Sequence, residues 1–243
     1  MPRIAIVAAL EREIGPLVRL WEVKKKQHED RWFRFFEKGE VVAVCGGIGA
    51  EPARRAAEAV IALYLPEIVW SAGFSGALAP ELKVGDIVIP RRVTSAGDGS
   101  IKDTEQGEGT LISVDAVAGA DYKSKLRESY AAQSVDMEAA AVGRAAEARG
   151  VGFAAVKAIS DESDFSFPTM ERFITPAGEF KAGKFAGFVL VRPWFWAGAM
   201  RLARNSRRAS LSLCEWLEGM IESAAREREA FGPPVDPLET RKK

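Results

Sequence analysis

Acidic side chains at the ends of regular elements are the residues of this chain best placed to do chemistry. In residues 134–161, SVDMEAAAVGRAAEARGVGFAAVKAISD, the spacing predicts a helix followed by a buried strand. Ser134 or Asp136 would cap the helix start, and Gly150 stands where a left-handed C-terminal cap is expected. Glu138 then falls in the first helical turn, and the run FAAVKAI ends on Ser160 and Asp161 at the carboxyl end of the strand. Ligands of open α/β sheets bind at that end of their strands, so a carboxylate there is a candidate acid or base. Near the N-terminus, the apolar run at residues 3–9 is followed at once by Glu11 and Glu13. Each acid also has a plain structural reading. Glu13 and Glu138 suit a first helical turn through the helix dipole, Asp161 suits a cap at a strand end, and Met137 is by default a core residue.

The elements that must position these residues follow from the apolar pattern. After the first strand, EREIGPLVRLW has helical spacing through Ile14, Leu17, Val18 and Trp21. WFRFFEKGEVVAVC reads as a hairpin turning at Lys38-Gly39. Gly46, Gly47 and Gly49 make a tight turn into the helix PARRAAEAVIALYL, with Pro52 suited to its first turn. EIVWSAG is the next strand, expected to end in a second glycine turn at Gly73-Phe74-Ser75-Gly76. LKVGDIVIP follows with a turn at Gly85-Asp86, residues 91–110 read as a polar, glycine-rich loop, and TLISVDAVAG returns to strand character. Strands alternating with helices, plus hairpins, imply an α/β fold with a mixed central sheet flanked by helices. One domain is expected over residues 1–231, with a variable helical part at 165–231 and a disordered tail at 232–243.

Composition excludes several function classes. Lys+Arg and Asp+Glu balance at 34 each among 243 residues, which removes any global charge argument for nucleic acid. The single histidine, His28, lies in a charged segment, so a histidine triad or metal cluster is not expected. Cys45 and Cys214 lie far apart in apolar contexts, which predicts buried free thiols in a reducing compartment. The chain enters a strand without the regions of a signal peptide, and Arg192 and Pro193 interrupt its longest apolar segment. A cytoplasmic location follows as an expectation.

LEREI after the first strand, GGIGA, KVGDIVIP, VDMEAAA and AISD together resemble the nucleoside phosphorylase/nucleosidase superfamily. Within it, the chain is most similar to 5'-methylthioadenosine/S-adenosylhomocysteine nucleosidases, over residues 3–90 and 111–163. The resemblance implies a single-domain fold with a mixed, partly closed sheet, assembled as a homodimer or larger oligomer. It further implies a hydrolase that releases adenine from a 5'-substituted adenosine without metal or organic cofactor. By position, Glu13 matches the glutamate that activates water, Met137 the methionine beneath the sugar, and Glu138 the glutamate holding the ribose hydroxyls. Asp161 matches the aspartate that protonates N7 of the departing purine, with Ser160 orienting it. Phe74, Ser75, Val117 and Ala118 complete the substrate-contacting set. The residue types suit the reaction, because glycosidic cleavage builds charge on both sides of the breaking bond and two carboxylates can serve the two sides.

Three departures from the family pattern bear on function. Phosphorylase relatives place an arginine before the glycine turn and a serine within it. Trp70, Ser71 and Phe74 stand here instead, with Glu13 nearby to repel phosphate, which favours hydrolysis. The 91–110 segment is shorter than in the nucleosidases, so the 5' end of the pocket is expected to be more open. Finally, RPWFWAGAMRLARNSRRASLSLCEWLEGMIESAAREREA reads as one long helix or a broken pair. Leu202, Ala209, Leu213, Trp216 and Met220 fall on one side, and Arg201, Arg204 and Arg208 on another. Such a helix would close the domain, or its Trp194, Phe195 and Trp196 beside arginines would meet a membrane surface. This tail is similar to the hopanoid-associated branch of the superfamily, whose members are thought to remove adenine from a lipid-linked nucleoside. Phosphate-dependent cleavage and a non-catalytic nucleoside-binding role are the remaining alternatives.

Overall fold

The N-terminal apolar run forms β1 (Ile4–Ala8), four of whose five residues are buried. A computed structural model describes residues 3–104, 106–167 and 170–231 of the chain. β1 lies between β4 (Val41–Cys45) and β5 (Ile68–Ala77), parallel to both. Strands buried on both faces have no polar side to show, which is why these three read as near-continuous apolar runs. β5 is the strand around which the sheet divides. Its first residues pair with β1, its length pairs in parallel with β11 (Gly152–Asp161), and its last two pair antiparallel with β10 (Ser134–Asp136).

The remaining strands extend the sheet on either side. β2 (Glu22–His28) and β3 (Arg31–Lys38) form a hairpin against β4. β9 (Thr110–Ser113) runs parallel to β10 and to β7 (Arg92–Ser95), which pairs antiparallel with β8 (Ile101–Asp103). β6 (Ile87–Val88) pairs antiparallel with β11. The result is a mixed sheet flanked by helices. On one face, α2 (Ala50–Tyr64) and α4 (Ala139–Glu147) bring Ala53, Ala56, Ala57, Val142 and Ala146 against Val7, Val42, Val44 and Val69. Small side chains let these helices approach the strands closely. On the other face, α1 (Glu11–Val18) and α6 (Trp196–Phe231) pack Ile14, Leu17, Leu213 and Leu217 on Trp70, Ala72, Val156 and Ala158.

Several expectations change on this frame. Residues 73–76 do not turn: β5 runs straight through them because Lys157, Ala158, Ile159 and Asp161 of β11 pair with Gly73, Phe74, Ser75 and Gly76. Sheet pairing overrides the local turn preference of glycine. Residues 91–110 are not a bare loop, since β7 and β8 form a hairpin whose Val93 is fully buried. Ser134–Asp136 is a strand and not the helix start, and Glu138 takes the N-cap position of α4. Asp136 still caps that helix from the strand end, its Oδ2 accepting the Ala139 N–H at 2.9 Å, whereas the Ser134 hydroxyl is buried without a partner among the described residues. Gly150 does adopt a left-handed conformation after α4. The polar β2 and the helix α3 (Ala120–Tyr130) carry no apolar pattern strong enough to announce them.

The C-terminal segment is one continuous helix, α6, preceded by α5 (Ala182–Leu190) and a 3₁₀ turn at Pro193–Phe195. Ala209 and Leu213 on its apolar side are buried, and Arg204 and Arg208 on the other side are exposed. Cys214 is buried and Cys45 half-buried, both as free thiols. Among the described residues, no helix is long and apolar enough to cross a membrane. The tail at 232–243 lies outside the described residues.

Candidate active site

Where β5 leaves β1 and meets β10, the carboxyl ends of β1, β4, β9, β10 and β11 converge around a cleft of about 170 Å³. All nine residues nominated from the sequence line it: Glu13, Phe74, Ser75, Val117, Ala118, Met137, Glu138, Ser160 and Asp161. Strand ends expose backbone and side-chain groups that the sheet itself does not consume, which is why sites form there.

Glu13 is the third residue of α1, yet its side chain turns back and is buried, at 5% exposure. Its Oε2 accepts the N–H groups of Ala9 (3.1 Å) and Leu10 (3.3 Å), so the carboxylate is pinned over the end of β1. Burial raises its pKa, against the opposing pull of the Lys157 charge and these backbone donors. Gly73 makes room for it, because a Cβ at that position would lie 2.8 Å from Glu13 Oε2. The surface-residue reading of Glu13 is therefore replaced by a desolvated carboxylate with raised basicity.

Glu138 is held by the glycine turn after β4. Its Oε1 accepts the Gly49 N–H at 2.7 Å and its Oε2 the Met137 N–H at 3.2 Å. Gly49 has φ +103°, a conformation open to glycine, and this points its amide at the carboxylate. Burial, followed by the neighbouring Asp136 charge, lifts the Glu138 pKa to about 8.

Asp161 is aimed by an irregularity in β11. Pairing with β5 shifts between Ile159 and Asp161, leaving Ser160 as an extra residue, and such bulges redirect side chains. Ser160 Oγ donates to Asp161 Oδ1 at 2.6 Å and lies 3.3 Å from the Ser75 carbonyl. The other oxygen, Oδ2, accepts from Lys123 Nζ of α3, whose ammonium also donates to the Glu162 carbonyl at 2.7 Å. Lys123 is 1% exposed. A Cβ on Gly76 would meet Asp161 Oδ2 at 2.9 Å and Lys123 Cε at 3.0 Å, so this pair depends on the bare backbone of β5.

A second buried ion pair lies beneath the cleft. Lys157 Nζ is 2.8 Å from Asp136 Oδ2 and donates to Ser71 Oγ at 3.1 Å, with both charged side chains at 2% exposure or less. Asp136 Oδ1 also accepts from Ser113 Oγ at 2.5 Å. Burial by itself lowers the Lys157 pKa, but the charges of Asp136, Glu138 and Glu13 outweigh it and hold the pKa above its usual value. Ser75 Oγ, in the cleft wall, is buried and has no hydrogen-bond partner among the described residues.

Sequence reasoning missed Lys123, Lys157, Arg12 and Phe180, the last two lining the cleft with Arg12 stacked 5.0 Å from the Phe180 ring. Lys157 was detectable, since a lysine inside the apolar run FAAVKAI must be paired if the strand is buried. Lys123 was not, because it sits in a mostly polar helix. Arg12 and Phe180 also line a second, larger cleft of about 530 Å³ between α1, α5 and α6, with Phe185, Ala199 and Leu202 among its walls. The two cavities therefore meet at this arginine and phenylalanine.

Comparison with known proteins agrees with this architecture. The 5'-methylthioadenosine/S-adenosylhomocysteine nucleosidase of Actinobacillus succinogenes is 30% identical over 201 residues, covering 67% of this chain and 86% of the relative. The enzyme of the same name from Buchnera aphidicola subsp. Schizaphis graminum is 24% identical over 225 residues, 77% and 96% of the two chains. Among solved structures, futalosine hydrolase of Helicobacter pylori superposes with a TM-score of 0.68 at 17% identity, covering 91% of this chain and 98% of the other. The 5'-methylthioadenosine/S-adenosylhomocysteine nucleosidase of the same organism, complexed with a substituted pyrrolidin-3-ol, gives 0.68 at 18% identity over 91% and 98%. At such identity these superpositions speak for the fold. The family model described as the phosphorylase superfamily matches residues 3–118 and 97–175, and on that match the chain belongs to the phosphorylase superfamily.

Proposed function

We propose that this protein hydrolyses the N-glycosidic bond of a 5'-substituted adenosine, as the named nucleosidase relatives do with theirs. The observation that carries the reading is that two fixed carboxylates line one cleft. Glu13 lies against Gly73 and Asp161 against Gly76, three residues apart. With both acids in the same cleft, one can serve the attacking water and the other the departing base.

In this mechanism Glu13 takes a proton from water as its oxygen bonds to the anomeric carbon. The C–N bond electrons pass to the purine, whose N7 takes a proton through Asp161 as the paired Lys123 ammonium gives one up to it. This leaves Asp161 a carboxylate, Lys123 neutral and Glu13 protonated, and after product leaves solvent returns a proton to Lys123 and takes one from Glu13. Glu138 accepts or shares the protons of the two ribose hydroxyls, and Met137 packs under the sugar. Ser75 Oγ, buried and unpartnered, suits a water or ribose contact. Water is favoured over phosphate as nucleophile because Lys123 and Lys157, the buried cations at the site, are each committed to an aspartate. Arg12, on the rim, is exposed and stacked on Phe180.

The 5' group is where a second reading has support. The roughly 530 Å³ apolar cleft adjoining the site at Arg12 and Phe180 suits a bulky, apolar substituent better than a methylthio group. A lipid-linked adenosine would fit that description. The protein is also proposed to work in the cytoplasm, with no metal or organic cofactor. The deciding experiment measures base release from adenosine, 5'-methylthioadenosine and an adenosine bearing a long 5'-alkyl chain, with and without phosphate. Phosphate-independent release abolished by Asp161→Ala supports the hydrolase. A preference for the alkyl substrate supports the second reading, and release that requires phosphate overturns the assignment of water.

A further inference from the structure

Residues 180–214 contain seven cations (Lys181, Lys184, Arg192, Arg201, Arg204, Arg207 and Arg208) and no acidic residue. Among the described residues one of them, Arg201, is paired, with Glu162 at 2.9 Å. In the same stretch Leu190, Val191, Trp194, Trp196 and Met200 are 47–73% exposed, and α5 buries no residue at all. Large apolar side chains clustered this way on a solvent face mark a contact surface.

The pattern on α6 is directional. Trp196, Met200, Arg204, Arg207 and Leu211 recur at four- and three-residue intervals, so they form a single exposed stripe of about 22 Å. The core-facing residues Ala209 and Leu213 belong to the opposite side. Arg207 of the stripe also lines the wall of the larger cleft, so the surface and that cavity are continuous.

We propose that α5, the turn at Pro193–Phe195 and the N-terminal half of α6 dock on an anionic phospholipid surface. Tryptophans seat at the headgroup level, leucine, valine and methionine enter the acyl boundary, and the arginines and lysines face the phosphates. A second copy of the chain is the weaker occupant for a charge reason. In a two-fold interface a patch faces itself, and this one would set cations against cations with no acid from residues 180–214 to relieve them. The helix lies on the surface and does not cross it. The inference stands apart from the proposed reaction, since binding is read without substrate.

Co-sedimentation of the full chain with vesicles tests it. The protein is expected to pellet with phosphatidylcholine vesicles that contain phosphatidylglycerol, to stay in solution with phosphatidylcholine alone, and to be released by salt. Lys184→Glu with Arg204→Glu should weaken partitioning by about 30-fold or more, from about a fivefold loss per cation. Trp194→Ser with Met200→Ser should weaken it at unchanged charge. Thermal unfolding by circular dichroism checks that both double variants stay folded. Equal partitioning onto neutral vesicles, or none onto either, overturns the proposal. A dimer in sedimentation velocity that Trp194→Ser with Met200→Ser converts to monomer overturns it too, and assigns the face to a second copy.

Discussion

Asp161 shows how much local construction one proton donor needs. A hydroxyl 2.6 Å from one oxygen, a buried ammonium on the other and a glycine beneath the pair leave it one direction to face. Asp161→Asn keeps the shape and removes the acid, so kcat for base release should fall by about 10²–10⁴. Lys123→Met leaves Asp161 in place but without its proton source, and should lower kcat on the order of 100-fold with KM little changed. Lys123→Arg should keep the ion pair without restoring the rate, because a guanidinium does not give up its proton, whereas it would rescue a purely structural lysine. Glu138 makes a separate prediction about pH. Its pKa is raised from 4.5 to about 8, so the folded state holds a proton there that the unfolded chain has lost. Stability is therefore full below about pH 4.5 and declines as pH rises towards 8, by at most about 1.4 kcal/mol per unit. The raised pKa of Glu13 acts in the same direction, while Lys157, above its usual 10.5, stays charged throughout. Urea unfolding at pH 5 and pH 8 should show the decline, and Glu138→Gln should flatten it.

Among the elements, β5 and β11 do most of the positioning. Their parallel pairing carries Gly73 and Gly76 past Glu13 and Asp161, and the shift at Ser160 turns the last acid into the cleft. Gly76→Ala would push a methyl to 2.9 Å from the Asp161 carboxylate. A displacement near 1 Å at a reacting group costs about 100-fold, so kcat should drop by that order while the melting temperature moves little. The Lys157–Asp136 pair couples β11 to β10. Removing one member leaves a buried charge alone, so Lys157→Met should destabilise by about 3–5 kcal/mol, and Lys157→Met with Asp136→Leu by less. Loss of the Lys157 charge should also raise the Glu13 pKa further, moving the acid limb of the kcat/KM profile to higher pH. A pH–rate series on the single variant reads that shift.

On the scale of the whole molecule, α6 has two different halves. Its C-terminal half completes the core beneath Trp70 and Val156, where Leu213 and Leu217 have no exposed surface. Its N-terminal half carries the exposed Trp196 and Met200 and walls the larger cleft. Leu213→Ala should therefore cost about 2–5 kcal/mol through the cavity it leaves. Leu211→Ala, two residues away at a half-exposed position, should stay within about 0.5 kcal/mol. Chemical denaturation of the two variants makes the comparison. The division also explains why one continuous helix can close the domain and still present a free surface.

Sequence alone was enough for β1, β4, β11 and the first half of β5, because strands buried on both faces write themselves as apolar runs, and for the acids at their ends. It left open whether the C-terminal segment was one long helix or a broken pair, while the buried side was legible where Ala209 and Leu213 keep a helical period. It did not reveal β2, whose run EVKKKQH alternates between exposed and half-buried at the sheet edge and is a strand by virtue of pairing with β3. It misread residues 73–76, where glycines that look like a turn are needed as bare backbone beside two carboxylates. Lys123 meets Asp161 from 38 residues away, and Lys157 meets Ser71 across 86. Periodicity and capping are written between near neighbours in the chain, so they can be read from it. The pairing of buried charges across the cleft depends on distances that exist only after the sheet has formed.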